Sequence, residues 1–274
     1  LPSAPTLQWR EPERESFTPN QAFGTSNRVY LVSGDTTEAF TVVDATNLDD
    51  PRWSGVSPDG PSSCDVVAHE SDRYAYTIPC GAPGRIDVWN VGDWATPFLE
   101  SSVATEPFLY NLLIDGSILY AAARGLQSFD ITDPSTPIPL AFLPFNFYVS
   151  NPCHACVDAG DRKLVVAMDD SVRVVDVTDP GKPELVFKNQ IDDVPVWGGC
   201  AGKGSFVFAM AERGDQLWSI DFSVPEAPRV AYKMILEEGE GMFHNMTIDG
   251  DGEDNTEHLW AIEGKGKGKG KGKR

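Results

Sequence analysis

Apolar residues along this chain arrive in short bursts, and the bursts recur. The runs "FTVVD" (40–44), "IDVWN" (86–90), "LQSFD" (126–130), "VRVVD" (172–176) and "LWSID" (217–221) alternate or cluster apolar side chains, and each closes on Asp or Asn. Seven residues after each closing position stands a proline: Pro51, Pro97, Pro137, Pro183 and Pro228. The closing positions are 46, 40, 46 and 45 residues apart, so the chain is one unit written five times. Ahead of each run lies a second β-rich stretch, namely "RVYLV" at 28, "YAYTI" at 74, "ILYAAA" at 118, "KLVVAM" at 163 and "FVFAM" at 206. A third precedes most of these, as in "CDVVAH" at 64, "NLLID" at 111, "CVDAG" at 156 and "HNMTID" at 244, and a fourth follows the proline, as in "PLAFL" and "PELVF".

Four short strands per unit, joined by Gly, Asp and Pro turns, predict an all-β fold, a β-propeller of four-stranded blades. The closing Asp accepts hydrogen bonds from backbone N–H groups two or three residues on, and a proline there has no donor to extend the ladder. These residues are therefore turn builders, not catalysts. The units are expected over about 28–63, 64–107, 108–152, 153–196 and 197–242, within a single domain spanning 1–264. A further strand, "HLWAIE" at 258–263, matches the second strand of each blade. Six blades are expected, with 243–264 and an N-terminal strand such as "TLQWRE" (6–11) sharing the closing blade and leaving no exposed edges. A five-bladed ring with a peripheral extra strand is the other closure.

The tracts "VRVVDVTDPGKPELV", "GLQSFDITDPSTPIPLA" and "LWSIDFSVPEAPRVA" resemble the LVIVD repeat, whose blades read as Gly-Leu, an alternating apolar strand, Asp, Asp-Pro and Pro. The likeness covers about 30–260, and its Asp-Pro is degraded in the first two units, to "NL" at 47–48 and "DW" at 93–94. The resemblance implies a β-propeller, commonly in extracytoplasmic proteins. It implies no shared active site that can be carried onto these positions.

Charge narrows the partners. With 41 acids against 22 bases the chain carries −19, and its last ten residues hold five Lys, one Arg and no acid, so the body ahead of them is six charges more negative. Such a surface repels nucleic acid and anionic membrane. No apolar run approaches the ~20 residues of a membrane span. The Gly-Lys stretch 265–274 has nothing to bury and is expected to be a flexible tail. The first residue is Leu1, not Met, which suggests removal of a leader and makes secretion the expected compartment.

Five cysteines suit that compartment. Cys64 and Cys80 flank a candidate hairpin centred on "ESDR", which would set them opposite one another and allow a disulfide. Cys153 and Cys156 form a C-x-x-C pair that reads as a redox pair, half a metal site, a local disulfide or two buried thiols, and Cys200 is a free thiol or their partner. The sequon Asn245-Met246-Thr247 offers one glycosylation site, on an apparent inner strand where a glycan would clash unless it sat at the rim. The acidic string 249–257 has Trp260 where a calcium loop of the helix-loop-helix type needs Glu, and reads as a hydrated hairpin.

In a propeller the innermost strands line a channel, so equivalent positions converge although they lie about 45 residues apart in sequence. Counting six back from Gly116, Gly160 and Gly250 aligns Tyr110, His154 and His244, with Cys64 in the corresponding place of its unit and Trp197 and Cys200 flanking it in another. Imidazoles at one level suit a divalent transition metal or general-base chemistry at neutral pH, which makes Tyr110, His154 and His244 the catalytic candidates and the two histidines the metal candidates. Asp65, Asn111, Asp158, Trp197 and Asn245 are the ligand-binding candidates. The plainer reading is a polar channel whose groups bond to water and to adjacent strands; His69 and His258 fall near turns and are expected to be solvated. Two functions follow: a binding scaffold for a protein, glycan or small ligand at the channel mouth, or a lyase, cyclase, hydrolase or oxidase with a His-based or metal site there.

Overall fold

The computed structural model describes residues 21–33, 40–47, 50–54, 62–80, 84–107, 109, 111–122, 124–145, 154–158, 163–168, 171–189, 197–203, 205–211, 216–235, 242–249 and 258–264. Every regular element among them is a β-strand, and no helix there is long and apolar enough to cross a membrane. The first sheet comprises β1 (Gln21–Gly24), β2 (Arg28–Val32), β3 (Phe40–Asp44) and β4 (Arg52–Trp53); the second, β5 (Ser63–Ala68), β6 (Tyr74–Pro79), β7 (Arg85–Asn90) and β8 (Phe98–Ala104). The third holds β9 (Asn111–Asp115), β10 (Ile118–Ala122), β11 (Gly125–Asp130) and β12 (Ile138–Pro144), and the fourth β13 (His154–Asp158), β14 (Lys163–Met168), β15 (Ser171–Asp176) and β16 (Glu184–Asn189). The fifth holds β17 (Trp197–Lys203), β18 (Phe206–Ala211), β19 (Gln216–Asp221) and β20 (Arg229–Ile235), and β21 (Met242–Asp249) pairs with β22 (His258–Gly264) in a sixth, two-stranded sheet. Each is an antiparallel meander. The first strands β1, β5, β9, β13, β17 and β21 lie side by side in chain order.

Middle strands read as nearly unbroken apolar runs because the second, third and fourth sheets are each covered on both faces, the situation in which alternation disappears. Tyr30, Val32, Phe40 and Val42 pack on Val66, Ala75 and Trp89 between the first and second sheets. Tyr76, Ile78 and Val88 meet Leu112, Leu119 and Phe129 between the second and third. Tyr120 and Leu126 meet Val175 and Val177 next, and Val172 and Val174 then meet Val207, Trp218 and Ile220. Outermost strands keep one face in water, so β8 and β12 alternate and leave Phe98 and Ile138 more than half exposed.

The closing Asp or Asn of every third strand does the turn-building expected of it. Its Oδ1 accepts the backbone N–H two residues on, from Thr46 at Asp44 (3.0 Å), Gly92 at Asn90 (3.1 Å), Thr132 at Asp130 (2.8 Å), Thr178 at Asp176 (2.9 Å) and Ser223 at Asp221 (2.8 Å). A second such turn follows at Asp93, Asp133 and Asp179. These corners also join sheets: Tyr76 Oη donates to Pro134 O at 2.9 Å, and Ser128 Oγ to Pro180 O at 2.5 Å. Gly125 is glycine for steric reasons, since a Cβ there would sit 2.4 Å from Leu143 O and 2.5 Å from the Phe142 ring.

The first sheet begins earlier than its apolar pattern announced, at Gln21. Its far face buries Leu31 and Val43 beside Val29 and Trp53, an apolar layer separate from the one shared with the second sheet. The segment 6–11 and the tail 265–274 lie outside the described residues.

Candidate functional site

The polar ends of the innermost strands can be aligned through strand pairing. In the first five sheets the closing Asp or Asn pairs with the first residue of the second strand: Arg28, Tyr74, Ile118, Lys163 and Phe206. Four residues further along that strand, the partner on the innermost strand is Gln21, Asp65, Asn111, His154 or Gly199. The same step from His258 in the sixth sheet reaches Asn245. One residue before this row, the innermost strand bulges at Cys64, Gly198 and His244, an independent mark that the rows match.

This register corrects the alignment based on turn glycines. His154 is level with Asn111 and Asn245, not with Tyr110 and His244. The glycine misleads because it directly follows the strand in "IDG" but is separated from Asp158 by Ala159 in the fourth unit. His244 is the bulge residue one position before the row; Tyr110 and Cys153 lie outside the described residues. Trp197 pairs with Ala211 beyond the bulge, near the same strand end. Asp158 belongs to the opposite end: it pairs with Lys163, level with Asp115 and Asp249, about 13 Å along the strand at ~3.3 Å per residue. Cys156 and Cys200 sit inside β13 and β17, one register step apart.

Asp65 is the most developed part of the row. It is only 6% exposed, and its Oδ2 accepts hydrogen bonds from the backbone N–H of Leu112 (2.6 Å) and from Asn111 Nδ2 (3.1 Å), both on the neighbouring innermost strand. Burial disfavours the charged form and pushes its pKa up to about 7, against the downward pull of the Leu112 and Val66 N–H groups. The carboxyl thus clasps two sheets and exchanges its proton near neutrality. Sequence reasoning had Asp65 and Asn111 as neighbours of a histidine site; the structure makes their contact its centre, and Gln21 is a member that the sequence reading missed because "QAFG" is too short to stand out.

Immediately before Asp65, Cys64 is joined to Cys80 with a Cα–Cα separation of 5.1 Å. The predicted disulfide is present, though the two residues are not directly opposed. Ser63 pairs with Pro79 and Asp65 with Ile78, which leaves Cys64 in the bulge, while Cys80 N–H donates to Ser62 O at 2.7 Å just past the strand. Elsewhere, His69 occupies a turn, its Nδ1 2.9 Å from Ser71 Oγ. Tyr30, pushed up to about 12 by burial and by the Asp72 charge, donates to Asp72 Oδ1 at 3.2 Å across the first two sheets. Among the described residues no group of three or more His, Cys, Asp and Glu is arranged to hold a metal ion.

Solved structures with the same arrangement are propellers. A functionally unknown protein from Desulfotomaculum acetoxidans is similar at 14% identity and TM-score 0.64, over 77% of this chain and 68% of its own. The periplasmic gluconolactonase PpgL of Pseudomonas aeruginosa is similar at 16% identity and TM-score 0.63 over the same shares. The Swd1 β-propeller domain of Myceliophteria thermophila is similar at 14% identity and TM-score 0.51, over 68% of this chain and 64% of its own. The fold is a β-propeller. No family model matches the chain, and no curated protein sequence matches it, so the likeness to the LVIVD repeat is carried by the repeat residues alone.

Proposed function

We propose that this chain is an extracytoplasmic six-bladed propeller that acts as a binding scaffold, holding its ligand at the end of the channel where Asp65, Asn111, His154 and Asn245 share one row. The observation that carries this is the Asp65 clasp: a buried carboxyl in contact with an amide side chain, at a strand end where four of the five equivalent positions are also polar residues. Such convergence of a few polar groups on a rigid apolar frame is how ligand sites are commonly built. Six blades are supported by six sheets whose first strands adjoin in order, with the apolar far face of the first sheet available to the two-stranded sixth. The disulfide supports an oxidising compartment. A thermal-shift screen of glycans and small molecules tests the reading. Hits should vanish in Asn111→Ala/His154→Ala while that variant stays folded; hits that persist in it would sink the channel-end site.

A second reading is favoured by Asp65 itself. A carboxyl poised near pH 7 suits general acid-base work, and one neighbour is named a gluconolactonase. In this reading the channel end is a hydrolase site, with Asp65 and His154 as its proton-handling groups and Tyr110 and His244 flanking them. Hydrolysis of gluconolactone that disappears in Asp65→Asn would favour it over the scaffold. A divalent ion shared by His154 and His244 has less support, because the two are not level. Equimolar metal in untagged protein, lost on His154→Ala, would restore that idea.

A further inference from the structure

The chemical character of this row limits what it can take. Three of its six members are amides (Gln21, Asn111 and Asn245), one is the buried Asp65, one is His154, and Gly199 has no side chain. No Lys or Arg stands in it. The row one step inward, from Ala22 through Leu112 to Met246, has none either. An amide offers a donor and an acceptor together, which matches a hydroxyl group. An anion only accepts, so it would waste the amide oxygens and meet a row without counter-charge on a chain of net charge −19. The opposite strand ends differ, with Asp115, Asp158 and Asp249 beside Lys203 in their row. The two ends of the innermost strands are therefore chemically distinct.

We infer that the end carrying Gln21, Asp65, Asn111, His154 and Asn245 binds a neutral, hydroxyl-rich ligand and discriminates against the acid or phosphate form of the same carbon skeleton. This rests on the channel-end reading above and names the ligand class for it. The discrimination comes from the amide character of the row, whose described members include no Lys or Arg, and from Asp65, whose Oδ2 is already occupied by two donors from the neighbouring strand. An acidic ligand would set its charge beside this buried carboxyl with no Lys or Arg of the row to balance it, and an unpaired charge in a site of restricted water is costly.

The test is titration of the whole chain with methyl glucoside, gluconate and glucose 6-phosphate, read by calorimetry and repeated on Asn111→Ala and Gln21→Ala. Gln21 occupies the end of a strand, so its variant keeps the test valid if Asn111→Ala fails to fold. The neutral glycoside should bind at least about tenfold more tightly than either anion, and each variant should weaken it by a similar factor. Equal or tighter binding of an anion, lost in the same variants, would overturn the neutral-ligand inference and leave the channel-end site standing. Binding that both variants leave unchanged would overturn the site itself. If none of the three probes binds, the inference is overturned while the hits of the wider screen still decide the site.

Discussion

The outer corners and the inner strand ends of this propeller both recur from sheet to sheet but are built in opposite ways. Each outer corner is closed by a side chain bonding to the backbone two residues away, so five corners are copies of one local turn. The inner ends are set by pairing along the sheet, in three sheets by a bulge, and at Asp65 by what the neighbouring sheet supplies, since it reaches Asn111 forty-six residues on. Local chemistry keeps the corners alike. Non-local register leaves the inner ends free to diverge, and that divergence is where ligand chemistry has room to sit.

The largest test of this contrast removes the covalent tie at one inner end. Cys64→Ser with Cys80→Ser should cost about 3 kcal/mol in chemical denaturation, the entropy of a loop of this size. A loss below about 1 kcal/mol would mean that the bulge is held by strand pairing alone.

Acid should split the two regions. Between about pH 4 and 7 folded Asp65 keeps a proton that the unfolded chain has released, so its contribution to stability rises as pH falls through that window. The corners behave oppositely. Hydrogen bonds from Thr46 and Thr132 hold the Asp44 and Asp130 carboxyls below their ordinary range, and bonds from Ser223 and Arg229 hold Asp221 at about 2. Their contribution is full above the unfolded pKa and is lost as pH falls towards 2. Stability measured by urea unfolding should therefore peak near about pH 4–5, and Asp65→Asn should abolish the rise from pH 7 to 4 without altering the acid limb. An unchanged rise would remove Asp65 from the account.

A smaller effect sharpens the corner side. Asn90 stands where the other four corners have Asp, so the turn needs an acceptor rather than a charge. Asn90→Ala should cost about 1 kcal/mol and Asn90→Asp less than about 0.5 kcal/mol, by thermal or chemical unfolding. Equal losses would show that Nδ2, which donates to Glu100 Oε2 at 2.8 Å, carries the effect instead.

Much of the frame was legible because its signals are local. The Asp-to-Pro interval of "VRVVDVTDPGKP" specified strand, turn and next strand within a dozen residues, and runs such as "YAYTI" marked the strand ahead of it. The candidate site was only half legible. Asp65, Asn111, His154 and Asn245 were all noticed as polar residues on inner strands. Their level was misjudged because the turns after those strands differ in length: two residues link β9 to β10, four link β13 to β14, and eight link β21 to β22. A glycine in such a turn measures loop length, not register. The paired Asp of the third strand was the better ruler.

By itself, the sequence determined the repeat, the corner turns and the cysteine pair, each of which depends on residues close together in the chain. Only the tertiary structure decided that Cys64 lies in a bulge, that Asp158 belongs to the far end, and that Asp65 is clasped by Asn111 and Leu112. Those facts depend on pairing partners and on neighbouring sheets. Side chains alternate with a period of two, so an error of a single residue in register moves a group to another face and another row.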